Sequence, residues 1–97
     1  MKALVVGSGA REHALVHSLS QDADVSAIFA APGNPGIAAM GGVVRCLPEV
    51  RALTDAEVVV AAATEHGIDL VVIGPEAPLV AGVADAVRAA GFACFGP

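Results

Sequence analysis

Tryptophan and tyrosine are absent and only 3 phenylalanines supply aromatic surface, so the interior has to be aliphatic and alanine-rich. Cations are scarce. Lys2, Arg11, Arg45, Arg51 and Arg88 face 10 acidic residues, for a net charge of −5. The five form no run and are not interleaved with aromatics. Gripping a nucleic-acid backbone takes clustered Lys and Arg, so nucleic acid is not an expected partner. Apolar runs such as 58–63 fall far short of the roughly 20 residues that cross a bilayer, so no membrane partner is expected either. Lys2 is followed by apolar residues for only a few positions before Gly7, which predicts no secretory leader. Two cysteines, Cys46 and Cys94, without C-x-x-C spacing, make one bridge at most and no disulfide framework; they predict a reduced, cytoplasmic chain. Cys94, in the apolar run 92–95, reads as a small buried hydrophobe.

What remains is a hydrophobic chain: 97 residues, 56% apolar and 15% charged. That length makes one domain with a modest core, and the apolar content argues against disorder. Strand-like runs fall at 3–7, 25–30, 70–74 and 92–95, with a weaker one at 43–46. Leu70-Val71-Val72-Ile73 is continuous rather than alternating, as in a strand covered on both faces. Three main helices are predicted between them. The first covers 11–21, with Ala14, Leu15, Ser18 and Leu19 on one face. The second covers 54–67, opened by a Thr54/Glu57 capping box and closed by Gly67. The third covers 78–90, with Pro78 in its first turn and Gly91 at its stop. Alternating strands and helices predict an α/β fold, a Rossmann-like doubly wound parallel sheet of four to five strands.

Such sheets take ligands in the crevice beyond their C-terminal strand ends. Three Gly- and Pro-rich loops fall there: Gly7-Ser8-Gly9-Ala10-Arg11-Glu12-His13, Ala31-Pro32-Gly33-Asn34-Pro35-Gly36 and Gly74-Pro75-Glu76-Ala77-Pro78-Leu79. The first is a strand, glycine turn and helix start, a ready anion site. A dinucleotide turn G-x-G-x-x-G wants glycine where Glu12 stands, and an acidic residue ending the second strand, where Ala30-Ala31-Pro32 stands. A Walker loop is missing, and Lys2 is the only lysine. Neither common nucleotide site is therefore written here. Backbone N–H groups at Gly9, Ala10 and Arg11 suit a monophosphate, Glu76 suits sugar hydroxyls, and Asn34 both donates and accepts. A small sugar-phosphate-like ligand fits these groups. Arg11 and Glu12 read equally well as first-turn surface charges, Glu76 as a helix-start carboxylate, and 32–36 as a tight turn. His13 and His17, four apart, lack a third metal ligand, so no metal site is expected. His66 reads as a helix C-terminal residue.

Taken together, the three loops and Phe95-Gly96-Pro97 resemble the N-terminal domain of the phosphoribosylamine–glycine ligase (glycinamide ribonucleotide synthetase) family, over essentially the whole chain and in order. The resemblance implies ligase chemistry in de novo purine biosynthesis. ATP activates the glycine carboxylate as an acyl phosphate, and the amine of 5-phosphoribosylamine attacks it. It implies that residues 1–97 form a pre-ATP-grasp, substrate-binding domain of a longer protein. ATP and Mg2+ (or Mn2+) would be held by an ATP-grasp domain that follows, so no cofactor, metal or catalytic residue is expected within these residues, and the part alone would be inactive. The substrate-binding residues it implies are Gly9, Ala10, Arg11, Glu12, Gly33, Asn34, Gly74, Pro75, Glu76 and Pro78. The alternatives are another ATP-grasp ligase or carboxylase, or a non-catalytic Rossmann-like binding module.

Overall fold

The computed structural model describes residues 1–50, 56–73 and 80–95. Five parallel strands form one sheet: β1 (Lys2–Gly7), β2 (Ala27–Pro32), β3 (Val44–Cys46), β4 (Leu70–Ile73) and β5 (Ala93–Phe95), in the order β3-β2-β1-β4-β5. Between them lie α1 (Ala10–Ser20), α2 (Pro35–Ala38), α3 (Ala56–Glu65) and α4 (Val80–Ala89). This is the doubly wound order, and its switch point lies between β1 and β4. β1 is central, paired Lys2↔Ala27 through Gly7↔Pro32 on one side and Ala3↔Leu70 through Val6↔Ile73 on the other.

Successive side chains of a strand point to opposite faces, and β1 divides the core accordingly. Leu4 and Val6 join Val71, Ile73, Val59, Ala63, Val83 and Val87 under α3 and α4. Val5 joins Ile28, Ala30, Val72, Val16 and Ile37 under α1 and α2. Small alanines at Ala62, Ala63 and Ala84 let α3 and α4 sit close, which suits a core without large aromatics. The ring of His66, just past α3, lies on Phe29 at 4.6 Å between centroids.

Several boundaries and faces differ from those predicted. The second strand starts at Ala27 rather than 25, because Val25 is buried in a turn closed by its N–H to the Asp22 carbonyl. The segment 32–36 is not all loop: β2 runs through Pro32, and α2, a fourth helix, begins at Pro35 behind an Asn34 cap. Cys94 is half-buried; burial pushes its thiol up from the ordinary range, against the nearby Arg88 charge. Cys46 and Cys94 are both free thiols. In α1 the buried residues are Glu12 and Val16, while Ala14 and Ser18 are exposed and Leu15 and Leu19 half-buried. The helix is rolled so that Glu12 faces β1. Thr54, Gly74 and Pro78, expected at element ends, lie outside the described residues.

Candidate functional site

The site grows from the C-terminal ends of β1 and β2. Gly7 ends β1 with φ +140°, a conformation that favours glycine. Glycine is needed there for space as well. A Cβ on Gly7 would lie 2.5 Å from Cγ and 2.6 Å from Cδ of Glu12. The Glu12 side chain thus fills the hollow over Gly7, and its Oε2 accepts the Gly9 N–H at 3.0 Å. At 1% exposure this carboxylate lies behind the turn. The reading of Glu12 as a surface charge is corrected: the helix N-terminus uses it as an internal cap.

That geometry explains chemically why the turn is unlike a dinucleotide turn. A pyrophosphate against the second glycine would use the N–H that Glu12 already holds. Among the first-turn donors this leaves the N–H groups of Ala10 and Arg11, which have no carbonyl four residues earlier within the helix. Arg11 is exposed at the same edge. The N-terminal end of α1 therefore offers two backbone donors, with the exposed Arg11 beside them.

The loop after β2 is locked to this turn. Gly33 N–H donates to the Gly7 carbonyl at 3.2 Å. Asn34 Nδ2 donates to the Ser8 carbonyl at 2.9 Å, and Asn34 Oδ1 accepts the Ile37 N–H at 2.9 Å, capping α2. One side chain thus fixes the relation of two loops. Gly33, at φ +76°, lies directly over Cys46, whose Sγ would collide with any Cβ there. Cys46 Sγ also approaches the Asn34 carbonyl at 3.8 Å. Outside this seam a cavity of about 610 Å3 opens, walled by Pro32, Gly33, Asn34, Pro35, Cys46 and Pro48. On the helix side His13 packs against Gly36, whose Cβ would lie 3.1 Å from the imidazole Cε1.

Of the ten predicted site residues, Gly9, Ala10, Arg11, Glu12, Gly33 and Asn34 are thereby brought to one corner of the sheet. Gly74, Pro75, Glu76 and Pro78 lie outside the described residues. β4 leaves the sheet at Ile73, paired with Val6, so the chain departs at the same edge, across the switch point. Sequence reasoning missed the Ser8 carbonyl and Cys46. The N-cap pattern of Asn34 before Pro35 was the available signal for α2, since Pro at the first helical position is a start mark. Among the described residues no three His, Cys, Asp or Glu side chains converge to hold a metal. No helix among them is long and apolar enough to cross a membrane.

Replacing Asn34 by Ala removes a helix cap and the clasp to Ser8 together. Loss of such a cap costs about 0.5–2 kcal/mol, and the second bond adds about 1 kcal/mol. We expect the denaturant midpoint to fall accordingly; a midpoint unchanged from the parent would show that the clasp carries no stability.

A doubly wound parallel sheet whose β1 and β2 loops interlock beside its switch point defines an α/β domain of the Rossmann-like kind. Comparison with known proteins narrows the class. Residues 1–97 match the family model described as phosphoribosylglycinamide synthetase, N domain, and the chain belongs to that family. It is 60% identical over 97 residues to a phosphoribosylamine–glycine ligase of Streptomyces coelicolor. It is 57% identical to the protein of that name from Mycobacterium tuberculosis and 47% to that from Chlorobaculum tepidum. Each match takes in the whole of this chain and 22% of the relative.

Proposed function

We propose that residues 1–97 are the N-terminal, substrate-binding domain of a cytoplasmic phosphoribosylamine–glycine ligase, which joins glycine to 5-phosphoribosylamine at the expense of ATP. The observation that carries this is the seam between the β1 and β2 loops, built by Gly9, Glu12, Gly33 and Asn34, in a chain of that family. The seam forms one wall of a crevice whose donors suit a phosphorylated sugar. In this reading Ala10 and Arg11 meet the phosphate through backbone N–H groups and the guanidinium. Gly9 and Gly33 let the ligand approach the backbone, and Asn34 holds the two loops in register. Glu12 acts from behind, through the turn it supports. Gly74, Pro75, Glu76 and Pro78 are assigned to the same substrate, with Glu76 on the ribose hydroxyls or the amine.

ATP and Mg2+ (or Mn2+) belong to the rest of such a ligase. The described residues offer no converging metal donors, and the first turn gives its Gly9 N–H to Glu12. No step through ATP or metal is assigned to this domain. Its task is to bind and orient the phosphoribosyl substrate.

Calorimetric titration of the full-length protein carrying Glu76→Ala with glycinamide ribonucleotide tests the assignment of Glu76. Loss of a hydrogen-bonding carboxylate should weaken binding at least about tenfold, or 1.4 kcal/mol. Parental affinity would remove Glu76 from the site. A full-length protein unable to form glycinamide ribonucleotide from ATP, glycine and phosphoribosylamine would remove the whole reading.

A further inference from the structure

Gly36 stands inside α2, where the backbone is helical and its φ is not in the left-handed region. Glycine inside a helix costs about 0.5–1 kcal/mol relative to alanine, so the backbone gives no reason for it. Space does. A Cβ at Gly36 would lie 3.1 Å from Cε1 and 3.3 Å from Nδ1 of His13, and 3.2 Å from Oδ1 of Asn34. Gly36 is thus pinched between a half-buried imidazole of α1 and the amide that caps α2.

That amide has two tasks at once. Its Oδ1 accepts the Ile37 N–H and its Nδ2 donates to the Ser8 carbonyl, each at 2.9 Å. Both bonds hold only for one rotation of the amide plane. Four residues are too few to hold a helix without outside packing, so α2 does not set that rotation by itself. Ile37 packs it onto the sheet, and His13 meets it from α1. His13 is in turn rooted in the turn that the amide reaches. Its N–H donates to the Gly9 carbonyl at 3.1 Å, closing the first turn of α1, which carries Ala10 and Arg11. The contacts therefore run in a closed ring from Ser8 to Asn34, to Gly36, to His13, and through Gly9 back to Ser8. Neither loop shifts in such a ring without the other.

We propose that His13 is a positioning residue for the phosphoribosyl substrate. Its ring, seated on Gly36, fixes the Asn34 amide and through it the turn that presents the Ala10 and Arg11 N–H groups. The inference rests on the functional reading above, in which those donors meet the phosphate. The ring acts by its shape, and its nitrogens do not bond the ligand. A misplaced binding turn weakens the substrate it holds, whereas ATP and glycine, bound elsewhere in that reading, are left as they were.

The test is calorimetric titration of the full-length protein with glycinamide ribonucleotide, together with KM for each of the three substrates. His13→Ala should weaken binding about fivefold or more and raise KM for phosphoribosylamine alike, with KM for ATP and glycine within about twofold of the parent. Gly36→Ala presses on the same ring from the other side and should act in the same direction. In the double variant the new methyl meets the space that the ring has left. Binding should then weaken by less than the product of the two single factors. His13→Phe keeps a flat ring and should hold affinity within about twofold of the parent. A loss in His13→Phe as deep as in His13→Ala overturns the proposal, because it makes the imidazole nitrogens ligand contacts. Parental affinity in His13→Ala overturns it too, as do single factors that simply multiply in the double variant. An equal rise in KM for all three substrates also overturns it, since that marks a general loss of structure. A parent protein that does not bind glycinamide ribonucleotide defeats the functional reading, whereas a binding parent with unaffected variants defeats the positioning role alone.

Discussion

Gly7→Ala is expected to lower the melting temperature of the protein by about eight degrees or more. Two costs act at once. The backbone at φ +140° is strained for any residue with a Cβ, at about 1–3 kcal/mol. The new methyl also meets Glu12 Cγ and Cδ at 2.5 and 2.6 Å, inside any tolerated contact, and overpacking of this sort adds about 1–3 kcal/mol. The sum, about 2–6 kcal/mol, is a large share of the about 5–15 kcal/mol that holds a domain together. For a chain of this size each kcal/mol moves the midpoint by about 4–8 °C. A thermal melt followed by circular dichroism reads it directly. A shift under about 3 °C would mean that the hollow over Gly7 has room to spare, and the assignment of Glu12 to it would fall.

The second large effect is expected at Glu12 itself. Glu12→Ala removes the hydrogen bond that Gly9 N–H donates to the Glu12 carboxylate and leaves the space over Gly7 unfilled. Such a bond is worth about 1.5–3 kcal/mol, and the vacated volume adds to it. Relief of the desolvation that a buried carboxylate suffers works in the other direction. The net expectation is a loss of about 2–4 kcal/mol in denaturant unfolding. Glu12→Gln keeps the shape and an acceptor oxygen, and should cost only about 1 kcal/mol, the difference between a charged and a neutral acceptor. If Gln proves as damaging as Ala, the charge and not the filling is what the turn requires. Combining Gly7→Ala with Glu12→Ala separates the terms further. The collision vanishes in the double variant while the backbone strain stays, so the double variant should lose less than the sum of the two single losses.

The fold was legible because the strands announce themselves. The Leu70 run is continuous and β-branched, as a strand buried on both faces must be, and the Gly-Pro clusters punctuate the sheet edge where the topology puts them. The roll of α1 was not legible. Hydrophobic pattern ranks Ala14 and Leu15 above a glutamate, yet Glu12 is the buried residue, because it satisfies a backbone donor that no apolar side chain can reach. α2 was hidden by its brevity and by the proline and glycine in it, which read as a turn when taken one by one. At the site, the loops could be gathered at one edge from the sequence. The seam between them could not, since the contacts Gly33–Gly7 and Asn34–Ser8 span 26 residues and depend on the β1–β2 register. Cys46 beneath Gly33 is of the same kind: its part is visible only once β3 lies beside β2.

Asn34 is also placed where it resists chemical ageing. Asparagine side chains degrade over days when the backbone nitrogen of the next residue attacks the amide carbon, closing a succinimide and releasing ammonia. Opening that ring turns the amide into a carboxylate or an isopeptide. Here the next residue is Pro35, whose nitrogen is tertiary and carries no hydrogen. The attack is closed off, so the donor that reaches the Ser8 carbonyl is not converted by this route into an oxygen that would repel it. The proline that starts α2 thereby also protects the clasp between the two loops against slow chemical wear.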